Sequence, residues 1–275
     1  MPTFNAPDGT TLYYEDQGEG DAPPLLCLSG LTRNARDFDF VAPHLTGVRM
    51  IRMDYRGRGK SDWADHATYE VPVEAGDALA LLDHLGIDRA AVLGTSRGGI
   101  IAMVLAATAR DRLCGVALND VGPVLDPGGL GAIKSYLGIN PAFATLEDAA
   151  EAQMQNNPRF ANVPKSRWVT FMSHINRETT EGLRINYDPK LRDAVVPGFD
   201  APQTDLWPFF DRLEGLPLAI IHGANSDLLS EDTLAEMIRR HPGAIVAQVP
   251  DRGHIPFLDE PEALTALREW QAQLA

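Results

Sequence analysis

Residues 90–110, AAVLGTSRGGIIAMVLAATAR, constrain the fold more than any other stretch of the chain. A short apolar run ends at Gly94, and an Ala-rich apolar run opens at Gly98-Gly99 only three residues later. An apolar run of a few residues fits a strand buried on both faces, whereas a long one rich in alanine fits a buried helix. A buried strand that passes straight into a buried helix belongs in a parallel sheet flanked by helices. The rest of the chain repeats this rhythm. Residues 25–28, 48–53, 113–118, 218–221 and 244–249 are further apolar runs of strand length. Residues 73–85, 230–240 and the segment from Asp259 onward carry apolar residues at helical spacing. Ser230 is a good N-cap, and Asp259 with Glu262 three residues on reads as a capping box. The chain opens as a hairpin, with residues 3–5, an Asp8-Gly9 turn signal and an alternating run over 11–15. Strands alternating with helices predict the α/β class with a mostly parallel, doubly wound sheet.

One stretch breaks the rhythm. From Gly122 to Leu213 there is no buried-strand run, only amphipathic pieces interrupted by Pro and Gly, with polar and aromatic residues mixed. An insertion of that kind between two sheet strands fits a mainly helical cap over a site. The expected division is therefore a core of residues 1–121 and 214–275 and a cap of residues 122–213.

The junction at 94–98 also carries chemistry. Gly94-Thr95-Ser96-Arg97-Gly98, between a strand and a helix, has the form of a nucleophile elbow. Its serine must sit on a strained, tight turn, so the residues two places either side must let backbone pass closely. A serine hydroxyl is a poor nucleophile without a base. His254 follows the last apolar strand run and is placed to be that base. The other six histidines lie in helix, loop or inserted-segment contexts, and only His222, ending a strand before Gly223, stands near the same edge. The acid that holds the imidazole should follow the preceding strand, where Asp227 lies in His222-Gly223-Ala224-Asn225-Ser226-Asp227. Asp120, which ends the strand after the elbow helix, is the rival acid. The chain order Ser96, Asp227, His254 is the one that goes with this architecture.

With these residues in place, the sequence resembles the cap-bearing α/β-hydrolase superfamily, the group of serine esterases, lactonases and C–C hydrolases. The likeness runs over nearly the whole chain: Leu28-Ser29-Gly30-Leu31, Asp54-Tyr55-Arg56-Gly57-Arg58-Gly59-Lys60-Ser61-Asp62, the elbow, the Asp227 loop, and a histidine followed by Asp259-Glu260-Pro261-Glu262. The resemblance implies an oxyanion hole made by the backbone N–H groups of Leu31 and Arg97. It also exposes a departure, because Ser29-Gly30 stands where the family has His-Gly, so that loop must be braced by other residues. Asp54-Tyr55-Arg56-Gly57 resembles the family's structural turn beneath the site. The Arg97 side chain reads as a salt bridge or helix cap rather than a substrate ligand. Arg33 and Asn34, just past the oxyanion loop, fit substrate contact as well as they fit a solvated charge and an N-cap. His174, Asn176 and Arg177 form a polar cluster in the inserted segment.

Composition narrows the partners. A formal net charge of −14 argues against nucleic acid or an anionic membrane. Cys27 and Cys114 lie inside apolar runs and read as small buried residues. The polar N-terminus and the lack of any membrane-length apolar stretch predict a cytoplasmic protein; whether it is a monomer or homodimer is not written in the sequence. No metal-ligand spacing or phosphate-cradling loop is present, so the expected chemistry needs no cofactor and no metal. The expectation is a serine hydrolase of a small-molecule carboxylic ester, lactone or thioester, working through an acyl-enzyme on Ser96. The alternatives are a C–C hydrolase of a ring-cleavage diketone, an acyltransferase, or a non-catalytic binding protein on the same fold. Serine rather than aspartate at the elbow argues against haloalkane and epoxide hydrolysis.

Overall fold

A computed structural model describes residues 1–199 and 201–274. In chain order the core strands are β1 (Thr3–Asn5), β2 (Thr11–Gln17), β3 (Leu25–Leu28), β4 (Met50–Met53), β5 (Ala90–Thr95) and β6 (Leu113–Asn119). An inserted segment then carries β7 (Asn176–Thr179) and β8 (Gly182–Ile185), after which β9 (Leu218–Gly223) and β10 (Ile245–Val249) complete the sheet. The helices flanking the sheet are α1 (Val71–His84) and α2 (Arg97–Thr108), with α8 (Glu231–Arg240) and α9 (Pro261–Gln271) near the C-terminus. The insertion contributes α3 (Pro127–Tyr136), α4 (Leu146–Asn156), α5 (Lys165–Ile175), α6 (Leu191–Phe199) and α7 (Trp207–Phe210).

Eight strands pair in the order β1-β2-β4-β3-β5-β6-β9-β10, antiparallel for the first two pairings and parallel from β4 onward. β3, β5, β6 and β9 are buried along their whole length, and alternate residues feed two different cores. Leu26, Leu28, Val92, Val116, Leu118 and Ile220 pack on the face that holds α1 and α2. Leu25, Cys27, Leu93, Ala117 and Ile221 pack on the face covered by Leu264, Leu267 and Trp270 of α9. A two-residue period with both faces buried explains why these strands read as continuous apolar runs.

One local expectation changes. No capping box forms at the last helix; it starts at Pro261, with Glu260 at the N-cap making no side-chain cap bond. Asp259 instead pairs with Arg167 of α5 at 2.6 Å, and Glu260 accepts from Arg252 Nε and Phe257 N. Beside its helices the insertion holds one strand pair, the antiparallel hairpin β7–β8, which turns at residues 180–181 and enters β8 at Gly182 with φ +100°. Its outer strand is exposed beyond Asn176, so no apolar run marks it, and Gly182 between two short runs is the only sequence signal. The insertion has its own apolar cluster around Trp168, Phe171 and Met172, which reaches Phe257 and Phe40 of the core. No helix among the described residues is long and apolar enough to cross a membrane.

Candidate active site

Ser96 sits between β5 and α2 with φ +50° and ψ −114°, a conformation a side-chain-bearing residue adopts only under constraint. The glycines supply that constraint. A Cβ on Gly94 would stand 2.5 Å from the Gly98 carbonyl oxygen, and one on Gly98 would overlap the Leu28 carbonyl of β3. Only bare backbone lets strand, turn and helix cross this closely. The Ser96 N–H donates to Asn119 O at the end of β6 at 3.0 Å, which ties the turn to the neighbouring strand. Ser96 Oγ lies 3.0 Å from His254 Nε2, so the elbow serine and the predicted base are in hydrogen-bond contact.

The carboxylate on the other side of His254 belongs to Asp120, not Asp227. Asp120 Oδ2 lies 2.8 Å from His254 Nδ1, and Asp120 is fully buried at the end of β6. Its other partners come from the loop after β9: Gly223 N donates to Oδ1 at 2.8 Å and Ser226 Oγ donates to Oδ2 at 2.7 Å. Ser226 Oγ in turn accepts from Leu228 N and Leu229 N, so its hydroxyl proton is directed at Asp120. The reason is a turn closed by Ser226 N donating to Gly223 O at 2.8 Å, which aims Ser226 at Asp120. Asp227, one residue further, lies on the wall of an adjoining cavity with its Oδ2 3.4 Å from Arg159 Nη1. Asn119 completes the support, its Nδ2 reaching Thr95 Oγ1 at 3.3 Å and Pro256 O at 3.2 Å, one contact on each side of the Ser96–His254 pair.

The loop holding Leu31 is braced without a histidine. Ser29 Oγ is buried and makes no hydrogen bond among the described residues. Instead Tyr55 OH donates to Ser29 O at 3.1 Å, Arg58 Nε donates to Leu31 O at 3.0 Å, and Arg33 N donates to Gly30 O at 3.1 Å. Arg58 is itself fully buried and paired with Glu74 at 2.9 Å, and Glu74 also takes Arg97 Nε at 2.5 Å. The Arg97 side chain is thus a salt bridge, with a second bond to Tyr69 O, and does not line the cavity. Its backbone N–H opens α2, where the first N–H groups of a helix have no intrahelical acceptor. Leu31 N likewise donates to no acceptor among the described residues. Asp54 accepts Ala35 N at 2.7 Å and Lys60 N at 2.8 Å, and burial raises its carboxyl to about 6. The Asp54–Asp62 stretch is therefore the scaffold of the loop that carries Leu31.

A cavity of about 430 Å³ opens onto His254 and is lined by Arg33, Tyr136, Arg159, Phe171 and Asp227, among others. It shares Thr32, Tyr136, Met172 and Ile175 with a second, more apolar chamber of about 490 Å³ that is lined by Ile139, Phe143 and Ile185. Asn34 is the N-cap of the short turn 35–38 and donates to His174 O at 2.7 Å, so it is structural. His174 is buried, stacks on Phe40 and faces Asp39 at 3.6 Å; burial and Arg36 lower its pKa to about 4. Asn176 donates to Met172 O and lines the apolar chamber, Arg177 lies on the exposed part of β7, and none of His174, Asn176 and Arg177 lines the cavity beside His254. His222 is held by Leu229 O at 3.0 Å, away from Ser96. Among the described residues no group of three or more His, Cys, Asp or Glu is arranged to hold a metal ion.

A family model described as the alpha/beta hydrolase family matches residues 25–267. The 3-hydroxybutyrate-oligomer hydrolase of Cupriavidus necator is 36% identical over 261 residues, covering 91% of this chain and 89% of the relative. The sn-1-specific diacylglycerol lipase ABHD11 of Danio rerio is 27% identical over 263 residues, covering 90% of this chain and 78% of the relative. The crystal structure of an alpha/beta hydrolase from Novosphingobium aromaticivorans DSM 12444 superposes with a TM-score of 0.92 at 37% identity, covering 99% of this chain and 98% of that one.

Proposed function

This chain belongs to the alpha/beta hydrolase family, and from that membership we propose that it cleaves a carboxylic ester of a small molecule through an acyl-enzyme on Ser96. The observation that carries the reading is the unbroken chain of hydrogen bonds Ser96 Oγ–His254 Nε2, His254 Nδ1–Asp120 Oδ2. The names of its hydrolase and lipase relatives support an ester substrate.

In this mechanism His254 Nε2 takes the Ser96 proton as Oγ attacks the ester carbonyl. Asp120 fixes the imidazole with its Nδ1–H inward and stabilises the imidazolium that forms. The N–H groups of Leu31 and Arg97 receive the oxyanion, each such donor being worth about 3 kcal/mol in acyl transfer. His254 returns its proton to the departing alkoxide, and the alcohol leaves. Water, deprotonated by the same imidazole, attacks the acyl-enzyme and frees the acid and Ser96. The inserted segment 122–213 acts as a cap whose α4–α5 turn and α5 wall the cavity beside His254.

Hydrolysis of 4-nitrophenyl esters of graded acyl length, run with wild type and Ser96→Ala, tests the reading. Wild type is expected to turn over at least one ester, and Ser96→Ala to lose nearly all of that rate. Equal, slow release of nitrophenol by both proteins would sink it. Transfer of the acyl group to an added alcohol in place of water would move the chain to the acyltransferases.

A further inference from the structure

The cavity beside His254 is unlike the rest of this acidic molecule, because two guanidinium groups line it against one carboxylate. Arg33 follows the oxyanion loop by two residues, and its stem lies against Gly30, where an added Cβ would meet Arg33 Cδ at 3.3 Å. The side chain is only 19% exposed, and its guanidinium lies over the Phe171 ring at 4.6 Å from the centroid. It is therefore fixed before any ligand arrives. Asp37 takes Nη1 at 2.7 Å, while Nε and Nη2 have no acceptor among the described residues. Arg159 comes from the α4–α5 turn, where its carbonyl accepts from Asn225 Nδ2 at 3.1 Å. Its guanidinium is half exposed and stands 3.4 Å from Asp227 without a hydrogen bond. A planar donor fork with free N–H groups, stacked on an aromatic ring, suits a carboxylate better than a neutral group.

We propose that the substrate cleaved at Ser96 is itself an anion, an ester that carries a free carboxylate bound by Arg33, with Arg159 as the second cation on the cavity wall. The inference rests on the ester-hydrolase reading above and narrows its substrate class. It also gives Asp227 a place: with no substrate present, its carboxylate is the counter-charge that Arg159 faces. The carboxylate it binds takes no part in the bonds made and broken at Ser96, so the effect of the anchor falls mainly on KM.

The test pairs two chromogenic esters of nearly the same shape, 4-nitrophenyl hexanoate and mono-4-nitrophenyl adipate, which differ in a terminal methyl against a terminal carboxylate. Both are given to the same preparation of wild type, Arg33→Gln, Arg159→Gln and Ser96→Ala. The ratio of their kcat/KM values is the readout, and it does not depend on how much of a variant folds. Wild type is expected to favour the adipate ester at least tenfold through KM, and one or both arginine variants to bring that ratio close to one. A wild-type ratio at or below one, or a tenfold preference that survives in both variants, overturns the proposal while leaving the esterase reading intact. Hydrolysis of the hexanoate that persists in Ser96→Ala takes down both. If Arg33→Gln yields no folded protein, the half-exposed Arg159 decides.

Discussion

At the scale of single residues, the carboxylate that meets His254 is where loop geometry and sequence position part company. Asp120 and Asp227 both end or follow strands at the same sheet edge, and they differ in what the turn after Gly223 presents to the imidazole. Asp120→Asn keeps the shape but offers the wrong hydrogen-bonding face, so kcat should fall by about 10⁴ with little loss of stability. Asp227→Asn should cost less than about tenfold, because no bond to His254 is lost; steady-state rates on one ester compare the two directly. Ser226→Ala removes a hydroxyl that both orients Asp120 and accepts two backbone N–H groups. A drop of about tenfold in kcat with KM little changed is expected, and an unchanged kcat would reduce Ser226 to a loop residue. That Ser96 and His254 would meet is legible in the sequence because each follows a strong local signal, a glycine-flanked turn and a final strand. That Asp120 and not Asp227 would meet the imidazole is not legible, since a one-residue difference in where a loop turns decides between a serine and an aspartate, and no local pattern records it. Ser226 and the Arg58–Glu74 brace were invisible for a related reason: each acts through a partner dozens of residues away.

At the scale of elements, the strand–turn–helix unit is held by how closely its backbones approach. Gly98 of α2 lies against the Leu28 carbonyl of β3, and Gly99 against Val121. Gly98→Ala would have to push the helix off the sheet just where Ser96 is aimed. A loss of about 3 kcal/mol or more is expected by urea unfolding, against the modest gain that alanine brings to an ordinary helix interior. Activity should vanish in whatever fraction still folds. The same unit shows why the sheet could be read from sequence and the hairpin β7–β8 could not. Strands buried on both faces leave apolar runs, whereas β7 has one buried residue and leaves almost no trace. Helix α9 likewise starts two residues after its apparent cap, because Asp259 and Glu260 are engaged by Arg167 and Arg252.

At the scale of the whole molecule, inserted segment and core meet through buried polar contacts whose charge state varies with pH. His174 stacks on Phe40 and its pKa is lowered from 6.5 to about 4. The unfolded chain binds that proton near pH 6.5 and the folded one only near 4, so the stability it contributes is present above about 6.5 and lost as pH falls toward 4. Asp54, raised from 3.8 to about 6, has the opposite sign in the same window, favouring the folded state at the acid end and losing that contribution as pH rises through 6. The two flatten each other. His174→Phe should unmask this: the stability difference between wild type and variant should shrink by up to about 3 kcal/mol between pH 6.5 and 4, read from urea midpoints across that range. A difference that stays constant with pH would mean His174 carries no such linkage. The two-faced sheet has a practical corollary for labelling the molecule. Its two thiols, Cys27 on β3 and Cys114 on β6, are both interior, and burial pushes Cys27 up to about 12. Thiol-directed dyes should therefore leave the native chain almost unmarked. A single cysteine placed at Ile139, which is 52% exposed at the rim of the apolar chamber, would then report opening and filling of that chamber with no background to subtract.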